Sequence, residues 1–131
     1  MKTDYAFITQ KDLTKPADWA PSAAHRNISE AIEVSISGRI STIIGLVADF
    51  GYRTATINLH DLAEFVRDET MEDYQRDYRK HPELRDALIM ADNMPSSVFN
   101  TIVQSELDAI LEKSEFEFAY HTDGEVQIFW Q

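Results

Sequence analysis

Six apolar side chains near the C-terminus constrain the fold more tightly than any other feature of this sequence. Phe116, Phe118 and Tyr120 alternate with polar or small residues, and so do Val126, Ile128 and Trp130. Alternation is the mark of a strand with one covered face, and Thr122-Asp123-Gly124 between the two runs is turn chemistry. Turn length sets the register. A two-residue turn at Asp123-Gly124 pairs Phe118 with Phe129 and splits the apolar set over both faces. A three-residue loop with Gly124 as the bulge pairs Phe116 with Trp130, Phe118 with Ile128 and Tyr120 with Val126. That register puts all six on one face and is the one expected. A one-faced hairpin then needs a second layer over it.

Helices supply that layer. Ile28, Ile32, Ile36, Ile40 and Ile44 recur every four residues, with Val47 closing the series and Asn27 and Glu30 placed like a capping box before it. Gly38, Gly45 and the density of β-branched residues weaken this helix, and a strand pair around Val34 to Ile44 competes with it. The expectation is a helix broken or kinked near Gly38 and stopped at Asp49-Phe50-Gly51. Tyr52 to Leu59 is β-prone. Asn58 with Asp61 then caps a helix carrying Leu62, Phe65 and Val66. Thr70 with Asp73 offers a second cap, so Met71 to Arg79 is either a continuation or a short helix of its own. His81-Pro82 is a break, followed by a helix with Leu84, Leu88 and Ala91. Asn93 to Ser97 is another break. Beyond it Val98, Phe99, Ile102, Val103, Leu107, Ile110 and Leu111 form the clearest apolar stripe in the chain, with Asp108 and Glu112 opposite. Upstream, Tyr5 to Thr9 reads as a short strand and Lys11 to Ser22, with Pro16 and Pro21, as a loop. The fold class expected is α+β: about four or five helices packed on a small, mainly antiparallel sheet with a C-terminal β-hairpin.

A chain of 131 residues is of ordinary single-domain size, so one domain over 1–131 is expected. The absence of cysteine excludes disulfides, thiolate metal sites and a cysteine nucleophile. No signal-peptide pattern opens the chain. The apolar run Ile43 to Val47 is too short to span a bilayer. A cytoplasmic setting of bacterial or phage type is expected.

Charge is distributed unevenly. Met1 to His60 holds six acidic and six basic residues, whereas Asp61 to Gln131 holds seventeen acidic against six basic and so carries the whole net charge of −11. Phosphate-binding proteins need the opposite sign, so direct nucleic-acid binding is disfavoured, as is an anionic membrane. A protein partner with a basic surface is favoured.

The acids are placed at helical spacing. Asp61, Glu64, Asp68 and Glu72 form one row, and Glu69, Asp73 and Asp77 a neighbouring one. Positions three and four apart stand roughly 5–6 Å from each other on a helix, close to the separation of successive phosphates along a nucleic-acid strand. Arg67, Arg76, Arg79 and Lys80 lie among them, so a solvated, internally paired face is the alternative. Tyr74 and Tyr78, one turn apart, are either interface anchors or part of the apolar stripe. With Asp108 and Glu112 these residues make up the expected partner-binding surface.

One local pattern points elsewhere. Asp68-Glu69-Thr70-Met71-Glu72 followed by Glu83-Leu84-Arg85-Asp86 resembles the paired acidic motifs of the all-α nucleoside triphosphate pyrophosphohydrolases. That resemblance covers under twenty residues, and the halves stand closer together than is usual in the family. It implies Mg²⁺ held by Glu69, Glu72, Glu83 and Asp86. The four histidines are scattered and make no zinc pattern. The expected function is an acidic inhibitor that blocks a nucleic-acid-handling enzyme with a phosphate-mimicking carboxylate surface. Its class is that of anti-CRISPR, anti-restriction and nuclease-immunity proteins, which share this size, acidity and lack of cysteine. It needs no cofactor. The alternatives are a non-catalytic assembly or regulatory subunit and the Mg²⁺-dependent hydrolase.

Overall fold

The computed structural model describes residues 23–82 and 84–131. Helix α1 (Ala23–Asp49) is followed by strand β1 (Thr54–Asn58), helices α2 (Leu59–Asp77), α3 (Leu84–Asn93) and α4 (Ser96–Lys113), and strands β2 (Glu117–Tyr120) and β3 (Glu125–Phe129). Four helices packed on a three-stranded antiparallel sheet make this an α+β fold. The strand and loop expected at Tyr5–Thr9 and Lys11–Ser22 lie outside the described residues.

Helix α1 departs from expectation twice. It starts ahead of Asn27, which therefore sits inside the helix; its carbonyl accepts a 2.8 Å hydrogen bond from the Tyr74 hydroxyl. Nor does α1 break at Gly38: it runs unbroken for 27 residues, or about 40 Å at the usual helical rise. Ile28, Ile32, Ile36 and Ile40 are all buried. Gly38 and Gly45 lie on the exposed side, where an added Cβ would meet nothing within 4 Å. A helix-interior glycine costs about 1 kcal/mol, and burying each isoleucine returns roughly 1.5–3 kcal/mol, so burial wins. The stop is the expected one. Gly51 adopts a φ of +91° and its N–H donates to the Ala48 carbonyl at 2.9 Å.

Ile43 and Ile44 still pack against the core, and the apolar side chains past them stand clear of it. Leu46, Phe50 and Tyr52 are exposed, Phe50 at 82%. From Ala24 to Asp49, α1 is long and apolar enough to cross a membrane by length and composition. No unbroken apolar run marks the segment, because serine, glycine and charged residues are spread through it.

Helix α2 is continuous through Thr70, so the second cap does not form. Its start is the expected one, the Asn58 side chain accepting from the Asp61 N–H at 3.0 Å. Leu62, Ala63, Val66, Thr70 and Tyr74 are its buried face. Helix α4 buries Phe99, Val103, Leu107 and Leu111, while Val98, expected in that stripe, is exposed. These faces share one apolar cluster with α1, Ala87 and Ala91 of α3, and Ile57, Val126 and Ile128 of the sheet.

The hairpin has the expected register. Phe118 pairs with Ile128 and Tyr120 with Val126, and Gly124 takes a φ of +83°. Strand order is β1-β3-β2, with Ala55 opposite Ile128 and Ile57 opposite Val126. Those four side chains are the buried centre of the inner face. Phe116, Phe118 and Trp130 are only partly buried, and Tyr120 is exposed.

Candidate functional site

Helix α2 sorts its acids into two classes. At 100° per residue, Asp61, Glu64, Asp68 and Glu72 fall within a narrow arc opposite the buried face, and all four are exposed. A row at strict four-residue spacing drifts around the helix, and the neighbouring row turns toward the protein. Glu69, Asp73 and Asp77 are accordingly half-buried. Arg76 gathers two of them, reaching Asp73 at 3.0 Å and Asp77 at 3.1 Å. In the outer row the Glu64 carboxylate lies 3.1 Å from His60 Nε2.

Arg67, counted from the sequence among the neutralising cations, turns away from the acids. One terminal nitrogen donates to the carbonyls of Ala91 and Met94, both at 3.0 Å, and the other to Ser96 Oγ at 3.4 Å. Its guanidinium lies 5.4 Å from the Phe99 ring centre. It joins α2 to the α3–α4 connection and leaves the outer row without its charge.

The other expected site residues are divided. Tyr74 is 6% exposed and belongs to the core, which removes it from the partner-facing set. Burial, then the charges of Glu30 and Asp73, push its hydroxyl up to about 12. Tyr78 is half-buried. Asp108 does not face free solvent as expected. It is half-buried and accepts a hydrogen bond from the Tyr120 hydroxyl, joining α4 to β2. Burial and that contact raise the Tyr120 hydroxyl above its ordinary range. Glu112, one turn on, is exposed.

Of the hydrolase-like set, Glu69 is half-buried and Glu72 exposed on α2, and Asp86 is exposed in the first turn of α3. Glu83 lies outside the described residues. Among the described residues no group of three or more His, Asp or Glu side chains is arranged to hold a metal ion.

Glu69 and Asp73 face a cleft of about 250 Å³ between α1 and α2, which Glu30 of α1 also lines. Sequence reading missed this cleft. The available signal was a polar residue on an apolar row: Thr70 sits one turn from Val66 on one side and from Tyr74 on the other.

No family model, curated protein or solved structure matches the chain.

The acidity reaches into the packed layer as well. Glu106 of α4 is half-buried, and burial followed by the charge of Glu33 on α1 raises its carboxyl above the ordinary value of 4.5. A carboxyl raised in the folded state holds its proton more tightly there than when unfolded, so stability falls as pH rises through that window. At neutral pH the ionised Glu106 opposes folding. Glu106→Gln is expected to raise the melting temperature at pH 7 by about 1–2 °C, a small gain because solvent screens a partly exposed pair. The gain should vanish below pH 4, as melting curves at the two pH values would show.

Proposed function

We propose that this protein binds a basic protein surface through the outer face of α2, and that its partner is an enzyme that handles nucleic acid. The observation that carries the reading is the row Asp61, Glu64, Asp68 and Glu72, exposed together and, among the described residues, in no ion pair with an arginine or lysine. A rigid helix holds these carboxylates at near-regular spacing, as a nucleic-acid backbone holds its phosphates. Their mutual repulsion works against the fold, and a surface that grips a cationic groove relieves it. Blocking of the anti-CRISPR, anti-restriction or nuclease-immunity kind is the activity such a surface would have, in a cytoplasmic setting.

A second reading, the non-catalytic assembly or regulatory subunit, has one observation in its favour. The apolar end of α1, with Leu46, Phe50 and Tyr52 exposed, is the sort of surface an apolar interface covers. Salt separates the two. Exposed charges are screened over about 8 Å at physiological ionic strength. Lysate proteins captured on the immobilised chain at low salt and eluted with a rising salt gradient should include a nucleic-acid-handling enzyme that leaves at moderate salt. A captured partner that stays bound in strong salt would instead support the subunit reading.

A further inference from the structure

Strands β1 and β2 each have a neighbour on one side only. Which main-chain groups of β1 are used follows from the bonds at its two ends. The Leu59 N–H donates to the Gly124 carbonyl at 2.9 Å, and the Trp130 N–H to the Arg53 carbonyl at 3.0 Å. Bonded positions alternate along an antiparallel ladder, so Arg53, Ala55, Ile57 and Leu59 direct their main-chain groups to β3. The N–H and C=O of Thr54 and Thr56, and the N–H of Asn58, point the other way. There no main-chain partner meets them among the described residues. The side chains of Thr54, Thr56 and Asn58 are exposed as well.

Open edges recruit further strands, and proteins commonly blunt them with charge, proline, a bulge or shortness. The β2 edge is blunted. It is four residues long, opens on Glu117 and follows Glu115, whose φ of +64° turns the chain. Just before it, the Phe116 N–H is taken by the Leu111 carbonyl at 3.2 Å. The β1 edge, Thr-Ala-Thr-Ile-Asn, has no charge, no proline and no bulge. It belongs to the half of the chain in which acidic and basic residues balance, so two copies can approach along it despite the net charge of −11. Arg39 and Asp61, which flank its Asn58 end, are one of each sign, and no single-signed field resists that approach.

We propose that β1 pairs with the β1 strand of a second copy, antiparallel about a twofold axis at Thr56, joining two three-stranded sheets into one. This register brings the whole of Thr54–Asn58 together. Thr56 faces the second copy's Thr56, and Thr54 faces its Asn58. These are the outward positions, so the N–H of each Thr56 meets the other's carbonyl, and each Asn58 N–H meets the carbonyl of the other Thr54. The same register carries the second copy's Tyr52 past Asn58, to a space of about 250 Å³ lined by Arg39, Ile43, Asp61 and Leu62. Tyr52 is 65% exposed in the single chain, and the space has room for one aromatic side chain. A strand of five residues covers less than the roughly 1,200 Å² of stable interfaces. The dimer is therefore weak, with a dissociation constant on the order of 10–100 μM. It requires nothing of the partner reading for α2.

Sedimentation of the full chain between about 5 μM and about 500 μM is expected to show a reversible monomer–dimer equilibrium. Amide hydrogen exchange over the same range reads the edge residue by residue. Protection at Thr56 and Asn58 should rise with concentration, whereas Ala55 and Ile57, already bonded to β3, should change least. Thr56→Lys sets like charges face to face at the axis and should hold the chain monomeric. Its melting temperature at low concentration should stay within about 2 °C of the parent, because the side chain is exposed. Thr56→Glu alone should also be monomeric, and mixing the two variants in equal amounts should restore the dimer. A parent that stays monomeric throughout, or a dimer that both variants retain, would overturn the proposal. So would Thr56 protection already complete at the lowest concentration, which would give the edge to residues 1–22 of the same chain.

Discussion

Reversing Asp68 and Glu72 together to lysine is expected to leave the protein folded and to weaken its hold on a basic partner about a hundredfold at low salt. Both side chains are exposed on the outer face of α2 and neither takes part in an ion pair among the described residues. No ion pair among the described residues is therefore lost, and the change in stability should stay within about 0.5 kcal/mol. Relief of repulsion within the row Asp61–Glu64–Asp68–Glu72 tends, if anything, to raise the melting temperature. Binding responds oppositely, since two attractions to a cationic groove become two repulsions. The control is Asp49→Lys, an exposed acid at the far end of α1 in the charge-balanced half of the chain. Affinities of the three proteins for the captured partner, measured at low and moderate salt, check the prediction. Equal losses in control and double variant would mean that net charge, not the α2 face, governs binding.

The largest stability effect is expected at Arg67. Its guanidinium satisfies the carbonyls of Ala91 and Met94 where α3 ends and α4 begins, and packs by the Phe99 ring. Arg67→Ala strands those two carbonyls and removes the cover from Phe99, at a cost of about 3 kcal/mol. Arg67→Lys, which has no fork to span both acceptors, should lose about 1–2 kcal/mol. Denaturant unfolding of the two variants measures both. An Arg67→Ala protein as stable as the parent would make this arginine a surface cation after all.

What the sequence revealed and concealed follows from the range of the interactions involved. The hairpin register was legible because a one-residue slip would have scattered Phe118, Tyr120, Val126 and Ile128 over two faces. Asn58 as a cap and Gly51 as a stop are decided within a few residues of themselves. Arg67 was not legible: its partners, Ala91 and Met94, come from a connection whose position only the packed helices fix. Asp108 was expected to face water opposite the α4 stripe, but it is half-buried, because its Tyr120 partner arrives from the sheet. Gly38 misled for a related reason. Its cost is local, whereas the burial that overrides it belongs to α2, α3 and α4. Within the candidate site, the row of acids was visible as a spacing. Their division into an outward row and a row turned toward α1 depends on helical drift and on where α1 lies.

The strand order has a consequence for how the chain assembles. Strand β3 is the last strand in sequence and the middle strand in space, with Thr54 opposite Phe129 at one margin and Glu117 opposite the same residue at the other. The helices α1 to α4 can meet one another before it exists, because their contacts join segments that are all made earlier. Strand β1 cannot pair until nearly the whole described chain has been synthesised, and closing so long a loop is slow relative to helix packing. On the ribosome, Ala55 and Ile57 therefore wait with an unpaired strand edge until Glu125–Phe129 emerges. Both ladders then form on one short segment, and a nascent chain interrupted before Glu125 would have neither.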